Sequence, residues 1–212
     1  MKNRLIILVL LTLLIIAFTT FETRASYTVA TFFDPAQTNS KYPLFDVNYA
    51  TMKLTGGWPD SKTGLTLQIP WSGHTFSNAW FEVKQPIALS APTMGYCSTG
   101  PGEVDFYKDN TSTNPLLIIQ FDYGVMSPSG FGSNDAYALA NVRITGSEIT
   151  GTLSDEVFAF SFANRAYLPG SSKWSDGWTA TASFTSSAIP EPATIGLLCM
   201  GGLAILRKKK RS

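Results

Sequence analysis

Cysteine and histidine are almost missing from this chain. Two cysteines and one histidine serve 212 residues. Cys97 stands alone in the middle and Cys199 lies in an apolar stretch near the end, so no disulfide framework can be drawn. A lone thiol in an oxidising compartment is a buried or loop residue, or at most a link between two molecules. A single histidine, His74, excludes the usual multi-histidine zinc site. Charged residues make up only 15% of the chain, and no basic stripe crosses its centre, which argues against nucleic acid as a partner. The centre shows neither a convincing 3.6-residue period nor a fixed repeat, which disfavours a helical bundle or a solenoid. No motif asks for a cofactor and no metal-ligand set stands out.

What is present is concentrated at the two ends. Lys2 and Arg4 precede an unbroken uncharged run, Leu5 to Phe18, and Thr23-Arg24-Ala25 then offers small residues at the positions a signal peptidase inspects. This is the layout of a secretory signal cut between Ala25 and Ser26. At the other end, Pro190-Glu191-Pro192 is followed by 14 uncharged residues, Ala193 to Leu206, and then by Arg207-Lys208-Lys209-Lys210-Arg211. The prolines keep the segment extended and outside any helix. The apolar run is short for a full span, which needs roughly 20 residues. The basic cluster would hold its end on the cytoplasmic side.

Proline–glutamate–proline, a glycine-bearing apolar plug and a basic end resemble the PEP-CTERM sorting signal of Gram-negative bacteria. The resemblance covers residues 189 to 211. It implies an exosortase as processing partner, transient residence in the inner membrane, and delivery to the cell surface or an extracellular matrix rich in exopolysaccharide. An ordinary uncut membrane anchor is the alternative reading of the same residues.

With the ends set aside, residues 26–192 carry eight Lys and Arg against fourteen Asp and Glu, a net charge of −6. Gly, Pro, Ser, Thr and Asn punctuate short runs that alternate with period two. Leu65, Leu67 and Ile69 share one face, as do Ala140, Val142 and Ile144, then Phe158, Phe160 and Phe162, then Ala180, Ala182 and Phe184. Further strands are predicted over 27–33, 44–54, 76–83, 87–89, 104–107 and 149–153. The run 116–121 reads as a central strand buried on both faces. Roughly ten strands without helix predict an all-β, antiparallel β-sandwich of jelly-roll type, flanked by an N-terminal signal helix and a C-terminal transmembrane helix. A closed barrel is the other solution. Three parts are expected: signal peptide 1–25, β-sandwich 26–187 and sorting tail 188–212, with 185–190 as a flexible joint.

Chemistry is hard to find between the ends. Neither Ser72 nor Ser77 sits in a nucleophile-elbow pattern that would recruit His74. A glycosidase needs two carboxyl groups facing one another across about 5 to 9 Å, and the carboxylates are scattered. Glu103, Asp105 and Asp109 come closest to a calcium loop, but Glu103 and Asp105 also have the spacing of a strand's solvent face. Trp174-Ser175-Asp176-Gly177-Trp178 suggests a two-residue hairpin turn at Asp176-Gly177, which points the two indoles to opposite sides. Trp58 and Trp71 sit beside turns and are the candidate exposed rings for a ligand. The expectation is an exported, non-enzymatic surface or matrix protein. A carbohydrate-binding module and a polysaccharide hydrolase are the alternatives.

Overall fold

A computed structural model of the chain describes residues 26–33, 44–58, 64–135 and 139–190. Within them lie fourteen strands and no helix. In chain order, β1 is Tyr27–Phe33, and β2 (Phe45–Asn48) and β3 (Lys53–Gly56) form a hairpin. A second hairpin joins β4 (Leu65–Ile69) to β5 (His74–Val83), and β6 is only Ile87–Ala88. Six short strands follow: β7 (Cys97–Thr99), β8 (Gly102–Tyr107), β9 (Leu117–Phe121), β10 (Gly124–Ser127), β11 (Gly130–Asn134) and β12 (Arg143–Thr145). Two long strands, β13 (Leu153–Tyr167) and β14 (Gly177–Pro190), complete the set. All the strand pairings are antiparallel, in the order β12-β9-β8-β5-β4-β1-β14-β13-β11-β10-β7, with β2, β3 and β6 branching from β14.

The sheet curls because β5 changes partner along its length. Its first residues pair with β4 and its last four, Trp80 to Val83, pair with β8. β14 is the spine. β13 runs along one side of it, and β2 and β1 share the other.

Register converts alternation into a core. Phe131, Phe160, Phe184 and Phe32 stand opposite one another on β11, β13, β14 and β1, forming one row across four neighbouring strands. Phe81 and Phe106 form a second row on β5 and β8. The rows meet ring to ring, with Phe32 5.6 Å from Phe81 and Phe106 4.8 Å from Phe184. Every ring named here is at most 2% exposed. Each such burial contributes about 1.5–3 kcal/mol.

Four expectations need correction. The run 44–54 is two strands, because Asn48 Oδ1 accepts the Thr51 amide (3.0 Å) and Met52 adopts a left-handed conformation (φ 54°) that closes a tight turn. The strand over 117–121 is buried on one face only: Gln120 is exposed. Residues 149–152 are irregular, and the strand begins at Leu153. The stretch 185–190 is not a joint but the second half of β14, with Ser186 and Ala188 buried.

Candidate functional site

Three regions could carry function, and the chain ends come first. Tyr27, at the start of β1, pairs with Ala188, near the end of β14. The chain therefore enters and leaves the fold side by side at one rim. Pro190 is the last residue of β14 and pairs with Leu153. Ser26 is exposed just ahead of β1. Ala25, Glu191, Pro192, the apolar segments and Arg207, Lys208, Lys209, Lys210 and Arg211 lie outside the described residues, as do the expected signal and transmembrane helices. Among the described residues, no helix is long and apolar enough to cross a membrane. At this rim Tyr27 Oη donates to the Pro70 carbonyl (3.0 Å) and meets Trp71 edge-on at 5.9 Å. Trp71 Nε1 donates to the Thr150 carbonyl (3.1 Å). Trp71 is thus half-buried and fixed, with only part of its ring open.

The tryptophans are sorted differently from the expectation. Trp58 is 4% exposed and packs in the core, so it offers no ring face to a ligand. Its carbonyl accepts Trp80 Nε1 at 2.6 Å. Trp174 is exposed and Trp178 is buried, but no two-residue turn divides them to opposite sides: one guanidinium, that of Arg165, lies within 6 Å of both rings. Trp178 pairs with Tyr167, so the loop between β13 and β14 spans 168–176. Gly177 is needed for another reason: a Cβ there would lie 2.0 Å from the Val47 carbonyl oxygen of β2, and its φ is +131°.

The rings at this end form a ladder. Partly buried Phe162, packed against the core, meets Trp178 at 5.1 Å. The Arg165 guanidinium lies 5.7 Å from the Trp178 ring and 5.5 Å from the Trp174 ring. Trp174 in turn packs against Tyr167 at 4.4 Å, with the rings tilted by 40°. A β-bulge makes the ladder possible. Between Ala163 and Ala166 two β13 residues oppose one β14 residue, with Asn164 at φ 50°. Without the bulge, Arg165 and Tyr167 would point away from the face that carries Phe162. With it, they share that face. Sequence alternation missed Arg165 and Tyr167 for this reason. The available signal was an asparagine, a residue tolerant of left-handed backbone, inside a long strand pattern.

The carboxylates form one compact group on the outer face of the β5–β8 pair. Glu82 and Asp105 are direct cross-strand neighbours. Tyr107 Oη lies 3.1 Å from Glu82 Oε1 and 3.1 Å from Asp105 Oδ2. Lys84 Nζ donates to Tyr107 Oη (3.0 Å) and to Glu82 (2.8 Å), and lies 3.5 Å from Asp105. A phenol has one proton and cannot donate to both acids. Burial, and then the neighbouring Glu103 charge, push the Asp105 pKa up, while hydrogen bonds from Tyr107 and Lys84 oppose that rise. Asp105 is only 4% exposed, against the expectation of a solvent-facing side chain, and its Oδ1 has no partner. Its hydrogen bonds to Glu82 and Tyr107 raise the Lys84 pKa. An ammonium this well held neutralises the pair rather than leaving two acids open to a sugar.

The remaining candidates are dispersed. Glu103 accepts from Gln120 Nε2 (2.5 Å). Thr111 and Ser112 donate to Asp109 and lower its pKa to about 2. Glu103, Asp105 and Asp109 thus do not converge, and among the described residues no trio of His, Cys, Asp or Glu is placed to hold a metal. His74, at the start of β5, bonds through Nδ1 to Glu148 (2.6 Å), and its side chain is 63% exposed. Ser72 bonds the same carboxylate, and both contacts lower the Glu148 pKa, His74 more. Cys97 is 2% exposed on β7, and burial raises its thiol pKa, which suits packing and neither attack nor cross-linking.

No protein-family model matches the chain, and no curated protein or solved structure does either.

Proposed function

We propose that the chain is an exported, non-enzymatic protein of the cell surface or extracellular matrix. A signal peptidase cuts it between Ala25 and Ser26, and an exosortase cuts it near Pro190-Glu191-Pro192. The observation that carries this reading is the adjacency of Tyr27 and Ala188. Two apolar segments that leave a folded body side by side can enter one bilayer together without strain on the body. The precursor is then held at the inner membrane by both ends, and successive cuts release it. The aromatic rings of Tyr27 and Trp71 at the same rim suit the headgroup layer, where a ring with one polar edge is well accommodated.

The body in this reading is a two-sheet sandwich of jelly-roll type, supported by the two facing rows of phenyl rings. Its outer side is mildly acidic, which keeps it soluble once released.

A chain ending at Pro190 tests the sorting role cleanly, because it keeps the whole of β14. It should fold, cross the inner membrane and then fail to be displayed where the full chain is. Arrival of the shortened chain at the same location in the same amount would overturn the proposal.

A further inference from the structure

The geometry points to a second site, for an acidic polysaccharide, at the end of the fold opposite the two chain termini. β14 begins beside the aromatic ladder at Gly177 and ends at the sorting motif with Pro190. At about 3.3 Å per residue, a strand of this length separates them by roughly 40 Å. A body held at the rim of Tyr27 and Pro190 therefore presents the ladder outward.

Four features make this end a binding surface rather than a loop staple alone. First, Tyr167 and Trp174 are 45% and 46% exposed although they pack against each other. Two neighbouring large rings left half in water are the surface on which the apolar face of a sugar packs. Second, the loop that carries Trp174 is fixed before any ligand arrives. Ser171 Oγ donates to Asp176 Oδ2 (2.7 Å), the Lys173 amide donates to Ser171 Oγ (3.0 Å), and Tyr49 N donates to the Asp176 carbonyl (3.0 Å). Little ordering entropy remains to be lost on binding. Third, Arg165 lies between the Trp174 and Trp178 rings and makes no ion pair among the described residues. Its guanidinium carbon lies 5.5 and 5.7 Å from the two ring centroids. A guanidinium carries its N–H donors in a planar fork that suits a carboxylate. Fourth, Arg165 and Lys173 outnumber Asp176 within 165–176, in a body whose net charge is −6. The negative charges elsewhere are screened beyond about 8–10 Å at physiological salt. The occupant is thus a glycan carrying carboxylate groups, a polyuronate, with a sugar ring on Trp174 and Tyr167 and a carboxylate on Arg165.

Titration calorimetry of the full chain in detergent, with alginate oligosaccharides as the probe and dextran oligosaccharides as the neutral control, tests this. Alginate should bind and dextran should bind at least about tenfold more weakly. Trp174→Ala and Tyr167→Ala should each weaken alginate binding about tenfold, the scale of one lost ring contact. Arg165→Lys, which keeps the charge but not the planar fork, should weaken it less than Arg165→Ala. Trp71→Ala, at the other end, should leave it unchanged. Near-ultraviolet circular dichroism of each variant establishes that it is folded. No binding of alginate, equal binding of dextran, retained affinity in both ring variants, or tighter binding of a single-stranded oligonucleotide than of alginate would each overturn the proposal. None of these measurements involves cleavage of the tail, so the sorting proposal stands or falls separately.

Discussion

Two aromatic assemblies share β13 and β14, and they differ in one respect. The central row of Phe131, Phe160, Phe184 and Phe32 is sealed between facing parts of the curled sheet. The ladder of Phe162, Trp178, Arg165, Trp174 and Tyr167 begins in that core and climbs out of it. Regular alternation builds the row, and one extra residue builds the ladder. The contrast teaches that burial in this fold is set by pairing register, and that a single bulge turns a buried stack into a surface.

The largest effect should come from opening the sealed row. Phe160 contacts rings from β1, β2, β5, β11 and β14. Phe160→Ala should cost about 3–5 kcal/mol by removing packed atoms and leaving a cavity. Urea unfolding of the released body would measure it, and a loss under 1 kcal/mol would show that the row is not the core. The bulge comes next. A β-branched residue resists the left-handed conformation of Asn164 and cannot donate to Thr181 Oγ1 (3.1 Å). Asn164→Val should cost about 1–3 kcal/mol and weaken the Arg165 contacts, which near-ultraviolet circular dichroism of the indoles would report. Arg165→Ala, which removes exposed cation–ring contacts only, should cost about 0.5–1 kcal/mol.

Alternation was legible wherever one face turns to the core, as in Leu65, Leu67 and Ile69 or Phe158, Phe160 and Phe162. It was illegible where backbone conformation changes without Gly or Pro. Met52, Asp155 and Asn164 all have positive φ, and each one splits or shifts a strand that composition alone continues. Gly177 misled in the opposite direction: the glycine answers to the Val47 carbonyl of β2, a neighbour distant in sequence, and not to a local turn. The carboxylate group of Glu82 and Asp105 became visible only through the pairing of β5 with β8. The proposed sorting signals, being local and linear, need no fold to be read.

The second bulge of β13 gives a subtler contrast. Between Ser154 and Val157 the register shifts again, with Asp155 at φ 50°, but here the result is a buried acid. Glu156 is 8% exposed and accepts the Ile144 amide at 2.9 Å, while Asp135 and Arg143 act on it from neighbouring segments. Burial, the largest effect, raises its pKa. The folded state therefore holds the proton more tightly than the unfolded chain. The stabilisation is complete below the ordinary carboxylate range near 4.3 and is lost as pH rises through the folded value. Glu156→Gln keeps the acceptor for Ile144 without the charge. Its stability should exceed that of the parent at pH 7 and match it near pH 4, as read by thermal unfolding at each pH. A variant less stable at pH 7 than at pH 4 by as much as the parent would assign the pH dependence elsewhere, with Asp105 the next group to test.

The central claim is that the rim where the chain enters and leaves is a membrane tether removed by cutting. Intact mass spectrometry of the mature protein from its native host measures this directly. The expected mass is that of a chain beginning at Ser26 and ending near Pro190 to Pro192, with no peptide from 193–212. A mature protein that still ends in Arg211-Ser212 would contradict it.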